Sequence, residues 1–315
     1  MKRISVAALI VFVVSSLAPG QTSPAPAKAL NERLGYPSDA KLLIVHADDL
    51  GMAHSVNAAS VKALETGLVS SASIMVPCPW FTEIAAYARK NAGADLGLHL
   101  TLTSEWAFYR WGPVLSKERV PSLLNNKDGY LYTLENEAAA AMDVREAEAE
   151  IRAQIERARA FGIVPTHLDS HMGTLYQSEA LFKMFLRVAR ENRLPVRISR
   201  DRFPQAQFIA SALAPDDVVL DRIIDIGPDV KPEQWAAFYT EAIKNLRPGV
   251  TELVVHLAFD DEEMRAMTID HPAWGSAWRQ RDFDFFTSDA FRRLLAEHNV
   301  KLITWREVGK LLKKP

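Results

Sequence analysis

Four stretches of the sequence bring a histidine or an aspartate to the end of an apolar run. LLIVHADDLG delivers Asp48 and Asp49, DLGLHLTL delivers His99, THLDSHM delivers His167, Asp169 and His171, and ELVVHLAF delivers His256. His167, Asp169 and His171 recur at every second position, so in an extended chain they point to one side. Taken singly, each residue has a plain structural explanation: Asp48 or Asp49 caps the helix that starts near Ser55, and a strand-end histidine hydrogen-bonds a loop. Together they are harder to dismiss, because burying two adjacent carboxylates and several imidazoles without a cation costs on the order of several kcal/mol. One carboxylate and two imidazoles with open positions suit a divalent metal such as Zn²⁺, Mg²⁺, Co²⁺, Ni²⁺ or Mn²⁺. The chemistry such a site supports is hydrolysis, with a carbonyl polarised, a water acidified and a second carboxylate taking the proton.

For these residues to meet, the elements carrying them must run side by side. KLLIVH (41–46), SASIMV (71–76), DLGLHLTL (95–102), THLDSH (166–171), PVRIS, ELVVHLAF and VKLITW read as buried strands. Between them, SVNAASVKALETGL (55–68), FTEIAAYARKN (81–91), REAEAEIRAQIERARAFG (145–162), EALFKMFLRVAREN, PEQWAAFYTEAIKNL and SDAFRRLLAEHN read as helices. This alternation predicts an α/β fold with a parallel sheet covered by helices. A distorted (β/α) barrel of about seven parallel strands is the expected architecture, with an open doubly wound sheet as the alternative. Active sites of such folds lie at the carboxyl ends of the strands, which is where the histidines and aspartates fall. Two stretches break the alternation: 103–144, with WAFYRWGP, and 259–286, with HPAWGSAWRQRDFDFF. They are expected to be long loops whose aromatics either stack on a sugar ring or pack the loops onto the barrel.

The motifs also resemble a known family. VHADDLG (45–51) followed by Ser55 and Asn57, then GLHLTL (97–102), then PTHLDSH (165–171), are similar to the successive motifs of the YdjC/ChbG carbohydrate deacetylases. So are the helix leading into the third motif, ELVVH (252–256) and WRQRD (278–282). The resemblance spans about 41 to 305 and implies a glycoside hydrolase/deacetylase-like barrel that removes acetyl groups from N-acetylated sugars, usually as a homodimer. It implies Asp49, His99 and His171 as metal ligands, Asp48 as general base and His256 as general acid. His167, Asp169, Arg279 and Asp282 are the expected supporting or substrate-contacting residues. Two departures mark this chain: Met172-Gly173-Thr174 follows His171 where further histidines are usual, and Leu257-Ala258-Phe259 follows His256 where Pro-Gly is usual.

Composition narrows the partners. The 315 residues are 48% hydrophobic and 24% charged, enough for a sizeable core, and 37 basic against 39 acidic residues give a net charge of -2. That balance gives no electrostatic reason for nucleic acid or an acidic membrane as partner, and a neutral substrate fits better. Lys2 and Arg3 before an apolar run from Val6 to Leu17, then Ala18-Pro19-Gly20, have the order of a secretory signal. The expected organisation is therefore a signal peptide over 1–20, a flexible linker over 21–33 and one domain over 34–315, exported to the periplasm or medium. The single cysteine, Cys78, cannot form an internal disulfide and reads as a buried thiol. Two competing functions are another metal-dependent reaction, such as a phosphoesterase or sugar isomerase, and a non-catalytic carbohydrate-binding protein on the same fold. The first would show phosphate-binding basic residues or a Lys/Glu-rich site, and the second would not need Asp48.

Overall fold

The structure is a computed structural model that describes residues 28–202, 204 and 206–312, so the expected signal and most of the expected linker lie outside the described residues. The chain runs through α1 (Leu30–Arg33), β1 (Lys41–Leu50), α2 (His54–Glu65), β2 (Ser71–Ile74), α3 (Phe81–Lys90) and β3 (Leu96–Leu100). It continues with α4 (Glu135–Ala141), α5 (Val144–Ala160), β4 (Leu168–Ser170), α6 (Glu179–Asn192), α7 (Gln207–Ala212), β5 (Arg222–Asp225) and α8 (Trp235–Lys244). The last elements are β6 (Gly249–His256), α9 (Glu262–Met267), α10 (Ser276–Phe286), α11 (Asp289–Glu297), β7 (Val300–Leu302) and α12 (Trp305–Gly309).

The pairs among these strands are parallel, in the order β4-β3-β2-β1-β6-β5, with β7 joined to the amino end of β1. The sheet curls into a half-barrel, and the segment PVRIS spans its open side. Arg197 N donates to Leu168 O at 3.0 Å on one flank, and Leu220 N donates to Ile198 O at 2.8 Å on the other. The distorted barrel expected from the alternation is thus present, with sparse hydrogen bonding where β4 faces β5.

Side-chain alternation divides the barrel along its axis. Leu43, Val45 and Ala47 of β1 face outward into the main core under the helices, while Leu42 and Ile44 face inward and pack with Leu220, Val250, Ile303, Trp305 and Val308. The next inward positions of β1 are His46 and Asp48. The neighbouring strands turn Ser71 and Ser73, Gly97 and His99, and His167 and Asp169 into the same space. The amino end of the barrel is therefore apolar and the carboxyl end polar. Gly97 is required at its position, since a Cβ there would collide with the imidazole of His167. That imidazole is stacked on Trp305, with ring centroids 5.0 Å apart and planes 20° apart.

Two sequence expectations change. The sequence places the linker over 21–33, yet Leu30 and Asn31 are buried: Leu30 joins the inward apolar cluster, and Asn31 Nδ2 donates to Pro37 O at 2.9 Å and to Ser38 O at 3.0 Å. Packed structure thus begins at α1, ahead of Leu34. The aromatic stretch 259–286 is not a long loop either, because most of it forms α9 and α10. Trp278, Phe283 and Phe286 of α10 are buried, and the Trp278 ring meets Trp235 of α8 edge-on at 4.4 Å. Cys78 is buried as expected, and burial pushes its thiol well above the usual range.

Candidate active site

In a regular strand Asp48 and Asp49 would point to opposite faces. The end of β1 is not regular. Its register against β2 shifts between Ala47 and Leu50, and Asp49 takes φ 73°, a left-handed conformation that aspartate tolerates better than most residues. Gly51 follows at φ 90°, where a Cβ would press to 3.0 Å from Met75 O, and its N–H donates to Asn57 Oδ1 at 2.6 Å. The irregularity brings both carboxylates to one mouth. His99 Nε2 lies 3.3 Å from Asp49 Oδ1 and 3.9 Å from Asp48 Oδ2.

Three donor atoms converge there. His99 Nε2 and His171 Nδ1 both face Asp49 Oδ1, at 3.3 and 3.4 Å, and ligand atoms of the three residues lie within 4.8 Å of one another. The opposite nitrogen of each ring is held by a carboxylate: His99 Nδ1 by Asp169 Oδ1 at 2.6 Å, and His171 Nε2 by Glu105 Oε2 at 2.9 Å. With an N–H committed to each carboxylate, the lone pairs of both imidazoles turn toward Asp49. Among the described residues Asp49 Oδ1 has no hydrogen-bond partner, while its other oxygen accepts from Arg279 Nη2 at 2.7 Å. Acceptors facing one another with no donor between them are what a bound cation resolves. Without one, the pull goes to protons: burial opposes charge on His171, yet Glu105 and Asp49 outweigh it and hold the imidazole up at about 9. Burial likewise opposes charge on His99, and Asp169 and Asp48 raise it well above its ordinary value. The residues present fit a divalent metal.

Two other groups of potential ligands, His46 with His167 and Asp169, and Asp48 with His99 and Asp169, share the same interior. Both contain Asp169, whose Oδ2 lies 2.5 Å from Arg197 Nη2, so a fixed positive charge already serves them. Arg197 also grips Asp48 with Nη1 to Oδ2 at 3.1 Å and Nη2 to Oδ1 at 2.5 Å, and its Nε lies 3.3 Å from Glu252 Oε2. His46 supports Asp48 from below, with Nε2 3.1 Å from Oδ1. Burial alone would raise Asp48, but Arg197, His99 and His46 hold it well below the usual carboxylate range. It stays ionised.

His256 ends β6 directly opposite Asp48 in the register. Burial lowers its imidazole to about 4, so it is neutral at neutral pH. Asp282 sits behind it, accepting from His256 N at 3.0 Å, from Trp235 Nε1 at 2.8 Å and from Tyr239 OH at 2.7 Å. Burial raises that carboxyl to about 6. Arg279 is fully buried, its Nε donating to Trp274 O at 2.6 Å and its head to Asp49. His167 does not reach the mouth: it lies below, over Gly97, with Nδ1 3.0 Å from Thr166 Oγ1.

The sequence model of the family described as YdjC-like protein matches residues 42–297. The chain belongs to that family. A carbohydrate deacetylase of Thermus thermophilus is 33% identical to this YdjC-like protein over 298 residues, covering 90% of this chain and 99% of the relative. A chitooligosaccharide deacetylase of Yersinia pestis (strain Pestoides F) is 31% identical over 239 residues, covering 74% and 82% of the two chains. Among solved structures, a protein from Enterococcus faecalis V583, provisionally named for cellobiose-phosphate cleavage, superposes with TM-score 0.72 at 24% identity. The superposition covers 85% of this YdjC-like protein and 99% of that chain, and it supports the fold.

Four residues that line or brace the site of this YdjC-like protein lie outside the sequence-derived candidates: His46, Glu105, Arg197 and Glu252. His46 had a signal, since it stands two residues before Asp48 just as His167 stands two before Asp169. Arg197 had another, a charged residue inside the short apolar strand PVRIS.

Proposed function

We propose that this YdjC-like protein is an exported, metal-dependent N-deacetylase of short acetylated oligosaccharides. The observation that carries the reading is the convergence of Asp49, His99 and His171 beside an ionised Asp48. The family relatives named as carbohydrate and chitooligosaccharide deacetylases support the substrate class. Asp49, His99 and His171 would hold a divalent metal, with Zn²⁺ and Mg²⁺ the first candidates. When bound, it supplies a positive charge that polarises the acetamide carbonyl and makes an attacking water more acidic.

The protein's own residues do the remainder. Asp48 is the base: it is ionised at every working pH, and Arg197 fixes the plane of its carboxylate by gripping both oxygens. Arg197 also lowers its basicity, so a proton taken by Asp48 is readily given up again. His256 is the donor for the leaving amine. Being neutral in the resting site, it must receive during the reaction the proton that Asp48 has taken from the water, and negative charge developing on the acetamide oxygen raises its proton affinity at that stage. Asp282 holds the His256 backbone, and Arg279 holds Asp49, so neither shifts as charge moves.

The test is acetate release from a panel of N-acetylated mono- and oligosaccharides by the mature protein, with Zn²⁺ or Mg²⁺ and with chelator. Release that requires the metal supports the reading, and no release from any sugar under any metal sinks it. Export is tested by intact-mass measurement on protein from the native periplasm or medium, where loss of about the first 20 residues is expected. The homodimer is tested by light scattering.

A further inference from the structure

The contact between Glu105 and His171 joins two parts of the molecule that the chain keeps 66 residues apart. Glu105 opens the aromatic segment after β3, and that segment is fastened around Asp49 as well. Trp106 Nε1 donates to Met52 Sδ at 3.2 Å, Tyr109 OH donates to Met52 O at 2.6 Å, and Met52 N donates to Asp49 O at 3.1 Å. Residues 105–109 therefore hold two of the three proposed ligands, one through a side chain and one through backbone. The same short stretch leaves Phe108 79% accessible.

Resting on the metal reading above, we infer that Glu105 is a positioning residue that couples metal binding to the order of the 103–111 segment. Its carboxylate commits Nε2–H of His171, which leaves Nδ1 as the ligand nitrogen and fixes the ring's direction. The coupling is reciprocal: a metal that holds His171 in place strengthens the hold on Glu105, and an ordered segment presents His171 ready to bind. The 103–111 segment is then fully ordered only in the loaded protein.

The experiment uses the full mature chain stripped of metal, as wild type, Glu105→Gln and Glu105→Ala. Zn²⁺ affinity is measured by competition with a chromophoric chelator, and hydrogen exchange of peptides covering 103–111 and 168–176 is followed with and without saturating Zn²⁺. Affinity should fall about tenfold in Glu105→Gln, which keeps an acceptor but loses the charge, and about a hundredfold in Glu105→Ala. In wild type Zn²⁺ should slow exchange in both peptides, and in Glu105→Ala only in 168–176. If Glu105→Ala does not fold, the isosteric Gln variant carries both measurements. Variant affinities within twofold of wild type, or equal Zn²⁺ protection of 103–111 in all three proteins, overturn the inference. A wild type that binds no Zn²⁺ at all overturns the metal reading itself.

Discussion

Arg197 meets Asp48 with both nitrogens of its fork, one to each carboxylate oxygen. The same guanidinium also faces Asp169 and Glu252, so a single side chain balances three buried acids. Replacing Arg197 with Ala should destabilise the protein by about 3–5 kcal/mol, the usual cost of leaving buried charges unpaired, and urea denaturation will measure it. Arg197→Lys should recover part of that stability but little activity, because an ammonium cannot span two oxygens in one plane.

The two adjacent aspartates separate by metal content. Asp49→Asn should lose metal and acetate release together, whereas Asp48→Asn should keep its metal and lose turnover by about 10²–10⁴. Elemental analysis alongside the acetate assay decides between them. An Asp48→Asn protein without metal would reverse the assignment.

His256→Gln should cut turnover by about 10²–10⁴ with metal content unchanged. It should also alter the pH dependence of stability. His256 falls from 6.5 to about 4 on folding, so the unfolded chain binds that proton more readily. The stability from keeping the imidazole neutral is complete above pH 6.5 and is lost as pH falls toward 4. With chelator present, wild type should therefore lose more stability than His256→Gln between about pH 7.5 and 4.5, measured by denaturant titration at both values. Equal losses would show that His256 is not held neutral.

Gly97→Ala tests the packing beneath the site. The added methyl would meet the His167 ring, which cannot retreat because Trp305 stacks behind it and donates Nε1–H to Glu252 Oε1 at 2.9 Å. Overpacking of this kind costs about 1–3 kcal/mol, and because Asp169 lies on the same strand end, metal affinity should fall with stability. Unchanged thermal unfolding would mean that the ring has somewhere else to go.

The ligand-type residues were legible because they end apolar runs, a place where polar side chains are conspicuous. Asp49, His99 and His171, the set the family resemblance implies, have ligand atoms within 4.8 Å of one another, although His171 stands just past the end of β4 rather than within it. What the spacing could not show is how neighbouring aspartates share one mouth, since that depends on a left-handed φ at Asp49 and a register slip. Arg197 escaped notice because its partners come from β1, β4 and β6, far away in sequence. The helix α10 was hidden for a different reason: aromatic and charged residues are mixed around it, so no apolar stripe of helical period stands out against the loop-like HPAWGS before it.

The inward apolar residues at the amino end of the barrel close that end to traffic. Leu42, Ile44, Val250 and Trp305 close the floor with greasy side chains, a poor route for a small anion. For the proposed reaction, water, sugar and both products must then share one doorway. In that reaction acetate would form against Asp49 and the two imidazoles, with the amino sugar on the solvent side of it. The sugar has to depart first, and acetate added to the assay should behave as an inhibitor that competes with substrate for the same vacated ground.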